Sequence, residues 1–131
     1  MDVSGERSFV ATAVSDRKKM VMSDDGKLRA RIAGEDGQRG ASPDQVFAAG
    51  YAACFNETIN DLAREREIAT GAVWVTARVQ VRRHGRLHIQ LVIEFADLSA
   101  TDASDLVRSA YDACPYSQAM HGNVDVDLRV A

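Results

Sequence analysis

The sequence predicts an α+β fold, built mostly from antiparallel sheet with two helices, and three observations predict it. Two neighbouring stretches alternate with period two. In the first, Val73, Val75, Ala77, Val79 and Val81 oppose Trp74, Thr76, Arg78 and Gln80; in the second, Leu87, Ile89, Leu91, Ile93 and Phe95 share one face. Such alternation marks strands buried on one side, and His84-Gly85 between them makes a hairpin. The stretch 42–54, S-P-D-Q-V-F-A-A-G-Y-A-A-C, opens as a helix should: Ser42 can cap, Pro43 suits the first helical position, and Gln45 sits at capping-box spacing. The order of elements is strands, helix, strands, helix, strand. Hairpins and single-faced alternation in that order argue for mostly antiparallel sheet.

Along the chain, Phe9 to Val14 reads as a first strand, followed by the polar loop S-D-R-K-K at 15–19 and a short extended piece from Met20 to Ser23. Asp25-Gly26 is a hairpin signal leading into Lys27 to Ile32, where Leu28, Ala30 and Ile32 alternate with charges. Residues 34–41 (G-E-D-G-Q-R-G-A) are glycine-rich but lack the G-x-x-x-x-G-K pattern of a phosphate cradle. The long helix should run from Pro43 to about Arg66, with Phe47, Tyr51, Cys54 and Leu62 near one face and small residues at Ala48, Ala49, Gly50, Ala52 and Ala53. His88 falls on the outward face of its strand and is expected to be solvated. Thr101 is expected to cap a second helix with Asp102 and Asp105 in its first turn, where the helix dipole favours acids. That helix ends at Cys114-Pro115, and Val124, Val126, Leu128 and Val130 alternate as a last strand.

Length and composition narrow the function. The 131 residues fit a single domain, 1–131, and 46% hydrophobic residues suffice for a core without metal or disulfide staples. A net charge of −3 with scattered Lys and Arg leaves no nucleic-acid footprint, and Arg82, Arg83 and Arg86 read as a solvated hairpin tip. No apolar run approaches the ~18 residues of a membrane span. Residues 1–8 show no signal-peptide pattern, so a cytoplasmic protein is expected. In that compartment two cysteines are inert thiols or redox chemistry rather than a structural disulfide. His84, His88 and His121 show no metal-ligand spacing to them.

Cys54 lies about three turns into the long helix, and a buried thiol in apolar surroundings has a raised pKa. Taken alone it is most simply a small core hydrophobe. Cys114 stands in C-P-Y-S at a helix junction, where amide N–H groups can favour a thiolate. If the two cysteines meet, they suit thiol peroxidase chemistry: one thiolate attacks an O–O bond to give a sulfenic acid, and the other condenses with it to a disulfide. Arg17 and Arg39 are available cations, and whether either reaches Cys54 is a tertiary question. Cysteine hydrolase chemistry is the competing reading and would need His121 beside Cys114.

The segments S-P-D-Q-V-F-A-A-G-Y-A-A-C-F at 42–55, C-P-Y-S-Q-A-M-H-G-N-V-D-V at 114–126 and S-D-D-G-K-L at 23–28 strongly resemble, in order, motifs of the organic hydroperoxide resistance proteins of the wider osmotically induced protein C (OsmC) family. The resemblance implies an intertwined homodimer in which mostly antiparallel sheets wrap two central helices. It implies a peroxidase for organic and fatty-acid hydroperoxides, with Cys54 as peroxidatic thiol, Cys114 as resolving thiol, and Arg17 holding the thiolate ionised. It further implies no bound cofactor or metal, and recycling by a dihydrolipoamide-type dithiol on a lipoylated protein.

Four positions depart from the family pattern. Asp44 replaces the Glu that orients the arginine and is shorter by one C–C bond, about 1.5 Å; it also reads as a plain first-turn acid. His121 replaces an Arg, Gln118 replaces an Asn, and the loop around Arg17 lacks the usual glycines. Phe47, Phe55, Met20 and Met22 are candidates for an apolar substrate mouth, or plain core. The alternative function is a non-enzymatic member of the same fold that binds a small apolar ligand.

Overall fold

Residues 6–15, 18–33 and 39–131 are described by a computed structural model, and the chain divides into two compact units, Met1–Pro43 and Asp44–Ala131. The first unit is a three-stranded antiparallel sheet of β1 (Ala11–Ala13), β2 (Met20–Ser23) and β3 (Arg29–Arg31), in that order. The Asp25-Gly26 turn forms as its residues demand. Ser23 Oγ donates to Asp25 Oδ1 at 2.6 Å, the Lys27 N–H donates to the same oxygen at 3.0 Å, and Gly26 takes φ 74°. These donors hold the Asp25 carboxyl below the ordinary carboxylate range. β1 and β3 are shorter than the sequence pattern suggests. Phe9, Val10 and Leu28 stay exposed, although the Val10 and Leu28 carbonyls still accept from the Asp24 N–H at 3.0 Å and the Ser23 N–H at 2.9 Å. Ile32 survives as a single parallel bridge to Ala41, and the chain passes so close there that a Cβ on Gly40 would sit 2.6 Å from the Arg31 carbonyl oxygen. Most of the glycine-rich loop, 34–38, lies outside the described residues.

The second unit joins α1 (Pro43–Glu65), β4 (Val73–Val81), β5 (Leu87–Phe95), α2 (Ala100–Ala113), α3 (Pro115–Met120) and β6 (Asp125–Val130). β4 and β5 pair antiparallel over their full length, with Val73 opposite Phe95 and Val81 opposite Leu87. A 3-10 turn, Arg83–Gly85, links them, with His84 at φ 62° and Gly85 at φ 71°. β6 joins the other side of β5 in parallel, His88 beside Asp125 through Ile93 beside Val130. The sheet is therefore mixed, because the α2–α3 connection returns the chain to the same end from which β5 starts. The inner face carries Ile89, Leu91 and Ile93, and it forms one core with Tyr51, Phe55, Ile59 and Ala63 of α1 and Leu106, Val107 and Ala110 of α2. Four-residue spacing puts the α1 set on one stripe.

Two expectations are corrected. α2 is capped by Ser99, not Thr101: Ser99 is extended, its Oγ accepts from the Asp102 N–H at 3.2 Å, and Thr101 is already helical. His88 is not a solvated histidine. It lies on the central strand between Gln80 and Asp125, half-buried, and its Nδ1 is sealed with no hydrogen-bond partner among the described residues.

Candidate active site

Cys54 sits midway along α1, one residue off the buried stripe, so its side chain is half-buried. Thr58 Oγ1 back-bonds to the Cys54 carbonyl at 3.0 Å one turn on. Cys114 is the hinge between α2 and α3. Its backbone is extended (φ −73°, ψ 120°), its N–H closes α2 on the Ala110 carbonyl at 2.7 Å, and its own carbonyl accepts from Gln118 N–H at 3.0 Å to open α3. Pro115 at the first position of α3 leaves no stray donor there. The Cys114 side chain is fully buried, 0% exposed.

These two residues meet. Both are free thiols, and their sulfurs lie 3.7 Å apart across the α1–α3 contact, sixty positions apart in sequence. A disulfide bond measures about 2.0 Å, so closing it needs a displacement smaller than a rotamer change provides. Burial, first, and then the neighbouring Cys114 push the Cys54 thiol up to about 11, and Glu57 adds to the rise. A backbone hydrogen bond from Tyr116 works in the opposite direction. An amide of the helix junction therefore acts on Cys54. Taken together, these surroundings disfavour the Cys54 thiolate.

Around the pair, Tyr51 and Ser117 are both fully buried and share a hydrogen bond of 2.6 Å between hydroxyls. Burial raises the Tyr51 phenol above its ordinary value, against the Ser117 bond. The Tyr51 ring meets Phe47 at 6.4 Å and Tyr116 edge-on at 6.2 Å. On the outer side, Tyr111 Oη lies 3.0 Å from His121 Nδ1, and Gln118 Nε2 donates to the Tyr111 carbonyl at 2.9 Å. The sequence places Tyr51 on the apolar face of α1, and its pairing with Ser117 emerges only in the fold. The available signal was Tyr51 one turn before Cys54, and Ser117 as the third residue of a helix begun by Pro115.

Of the other candidates, Asp44 is exposed in the first turn of α1, Phe47 is half-buried against Tyr51, and Phe55 is wholly within the core. Met20 and Met22 are half-buried in β2 of the first unit. Arg17 lies outside the described residues. Among the described residues no group of His, Cys, Asp or Glu could hold a metal ion, and no helix is long and apolar enough to cross a membrane.

An α+β core that brings two free thiols into van der Waals contact places both cysteines of the motifs at one site. A family model described as OsmC-like protein matches residues 34–129. The organic hydroperoxide resistance protein OhrB of Bacillus subtilis (strain 168) is 37% identical over 128 residues, covering 91% of this chain and 93% of the relative. Two solved structures share the fold at high similarity. An organic hydroperoxide resistance protein from Legionella pneumophila has a TM-score of 0.87 at 33% identity, covering 97% and 98% of the two chains. The Bacillus subtilis OhrB crystal structure has a TM-score of 0.81 at 34% identity, covering 95% and 98%. The chain belongs to the OsmC-like family, in its organic hydroperoxide resistance branch.

Proposed function

We propose that this protein is a cysteine peroxidase that reduces organic hydroperoxides, fatty-acid hydroperoxides among them, to alcohols. The observation that carries the reading is the asymmetry of two adjacent thiols: Cys54 is reachable and Cys114 is fully buried, with 3.7 Å between the sulfurs. The reachable thiol meets the peroxide first. Its thiolate attacks one peroxide oxygen, the O–O bond breaks, and the alkoxide leaves as alcohol after taking a proton, so that sulfur is oxidised to Cys54 sulfenic acid. Cys114 then attacks the Cys54 sulfur and water departs, which leaves a disulfide. An external dithiol of the dihydrolipoamide type, carried on a lipoylated protein, reduces it by two exchange steps.

On this reading Arg17 lowers the Cys54 thiol from its buried value by placing a fixed cation near the sulfur. Asp44 orients that guanidinium, and Phe47, Met20 and Met22 form the apolar approach that favours organic peroxides over hydrogen peroxide, whereas Phe55, expected at the same mouth, is sealed in the core. The protein works as a homodimer in the cytoplasm, without a bound cofactor or metal. The names of the relatives support the substrate class. One observation favours a second reading, a non-enzymatic scaffold for a small apolar ligand: burial and the neighbouring Cys114 push Cys54 up to about 11.

Consumption of cumene or tert-butyl hydroperoxide with dihydrolipoamide separates the two. The peroxidase turns over, faster with the organic peroxide than with hydrogen peroxide, and Cys54→Ser abolishes it while Cys114→Ser permits one oxidation and stalls. No turnover by the unaltered protein, or full turnover by Cys54→Ser, overturns the mechanism.

A further inference from the structure

The Cys114 hinge is held from two sides. The outer hold, Tyr111 to His121 and Gln118, is exposed to solvent, where hydrogen bonds exchange readily with water. The inner hold is the Tyr51–Ser117 bond, 2.6 Å long and fully buried at both ends. Its two residues belong to the same short segments as the thiols: Tyr51 is one turn before Cys54 on α1, and Ser117 follows Cys114 by three positions. The Tyr51 ring also meets Tyr116, the residue between. A buried hydroxyl pair is the costlier to break, because an orphaned hydroxyl finds no water. Nothing in the thiol chemistry itself uses these hydroxyls.

We propose that Tyr51 and Ser117 are positioning residues for the cysteine pair: their buried hydrogen bond fixes the α3 start against α1 and so sets the 3.7 Å separation of Cys54 and Cys114. The bond acts as a clamp that keeps the second thiol poised for disulfide closure. This rests on the peroxidase reading for its use in turnover, but its geometry does not depend on peroxide. Without the clamp, the segment 114–117 samples arrangements in which the sulfurs lie farther apart, and the effective concentration of one thiol for the other falls.

The test is a thiol–disulfide equilibrium of the full chain with oxidised and reduced dithiothreitol. There the two cysteine thiols lose two electrons and two protons to oxidised dithiothreitol, which becomes the dithiol. Tyr51→Phe keeps the ring and the core contact and removes only the hydroxyl; Ser117→Ala removes its partner. Each single variant is expected to lower the equilibrium constant for disulfide closure about fivefold, the scale of one net hydrogen bond. The double variant is expected to lower it no further, because both changes break one bond. The double variant also leaves no buried hydroxyl unpaired, so it melts above Ser117→Ala and keeps the folded state available for measurement.

A purely structural bond would lower the melting temperature of the single variants but leave the exchange constant at the wild-type value, and that result overturns the clamp. Losses that add in the double variant overturn it as well. Absence of peroxide turnover in the wild-type protein would instead defeat the peroxidase reading, and the exchange constants would still report on the clamp.

Discussion

At Cys54 the surroundings and the proposed task pull in opposite directions. Desolvation disfavours the thiolate, the Cys114 thiol beside it adds to the penalty, and one amide from Tyr116 cannot offset both. Left to these surroundings, with a midpoint near 11, the thiolate fraction would rise tenfold for each pH unit up to that value and alkylation at neutral pH would be slow. On the proposed mechanism a cation offsets that penalty, and Arg17 is its proposed source. Site-resolved alkylation of Cys54 against pH is expected to show a midpoint well below 11 in the unaltered protein and to move up toward about 11 in Arg17→Ala. An unchanged profile in Arg17→Ala would remove that arginine from the mechanism. Asp44→Glu tests the shorter acid by the same profile. If Asp44 orients the guanidinium imperfectly, the longer side chain lowers the midpoint further; an unchanged midpoint leaves Asp44 as a first-turn acid.

At the scale of elements, strands β4 and β5 were legible residue by residue, because period-two alternation over nine positions has no helical equivalent. α1 was legible in extent, but its buried stripe is Tyr51, Phe55, Ile59 and Ala63, with Cys54 and Leu62 at its edge. The small residues around Cys54 gave too little contrast to fix the rotation of the helix. That rotation matters, since one position more would have sealed Cys54 in the core. The start of α2 was misread because both Ser99 and Thr101 can cap. Ser99 wins since it lies three residues before the Asp102 N–H and still holds an extended backbone. Ser99→Ala is therefore expected to destabilise the protein by about 1 kcal/mol, and Thr101→Ala by much less, as read by urea unfolding. Equal losses would return the cap to Thr101. The His88 Nδ1, without a partner among the described residues, has the same kind of origin: β5 is flanked by a strand on each edge, which alternation alone does not reveal.

At the scale of the whole molecule, α1 leaves Ala49, Gly50 and Ala53 exposed along a helix whose other face is core. A long helix with a bare small-residue face is what a second copy of the chain can approach closely, and sedimentation is expected to give a homodimer at micromolar concentration. A monomer across that range would contradict the intertwined assembly.

The α+β class, the order and most boundaries of the elements, the family, and the two cysteines on which the proposed chemistry rests could be read from the chain alone, because each is written in local periodicity or in contiguous motifs. Only the tertiary structure decided that Cys54 and Cys114 stand 3.7 Å apart, that one is reachable and the other sealed, and that Tyr51 and Ser117 close the gap between their helices. It also decided that β6 runs parallel to β5. The physical reason is common to all of these. Local sequence sets backbone conformation through propensity and capping, whereas distances between residues sixty positions apart depend on how packed faces settle against each other, and no short stretch encodes that.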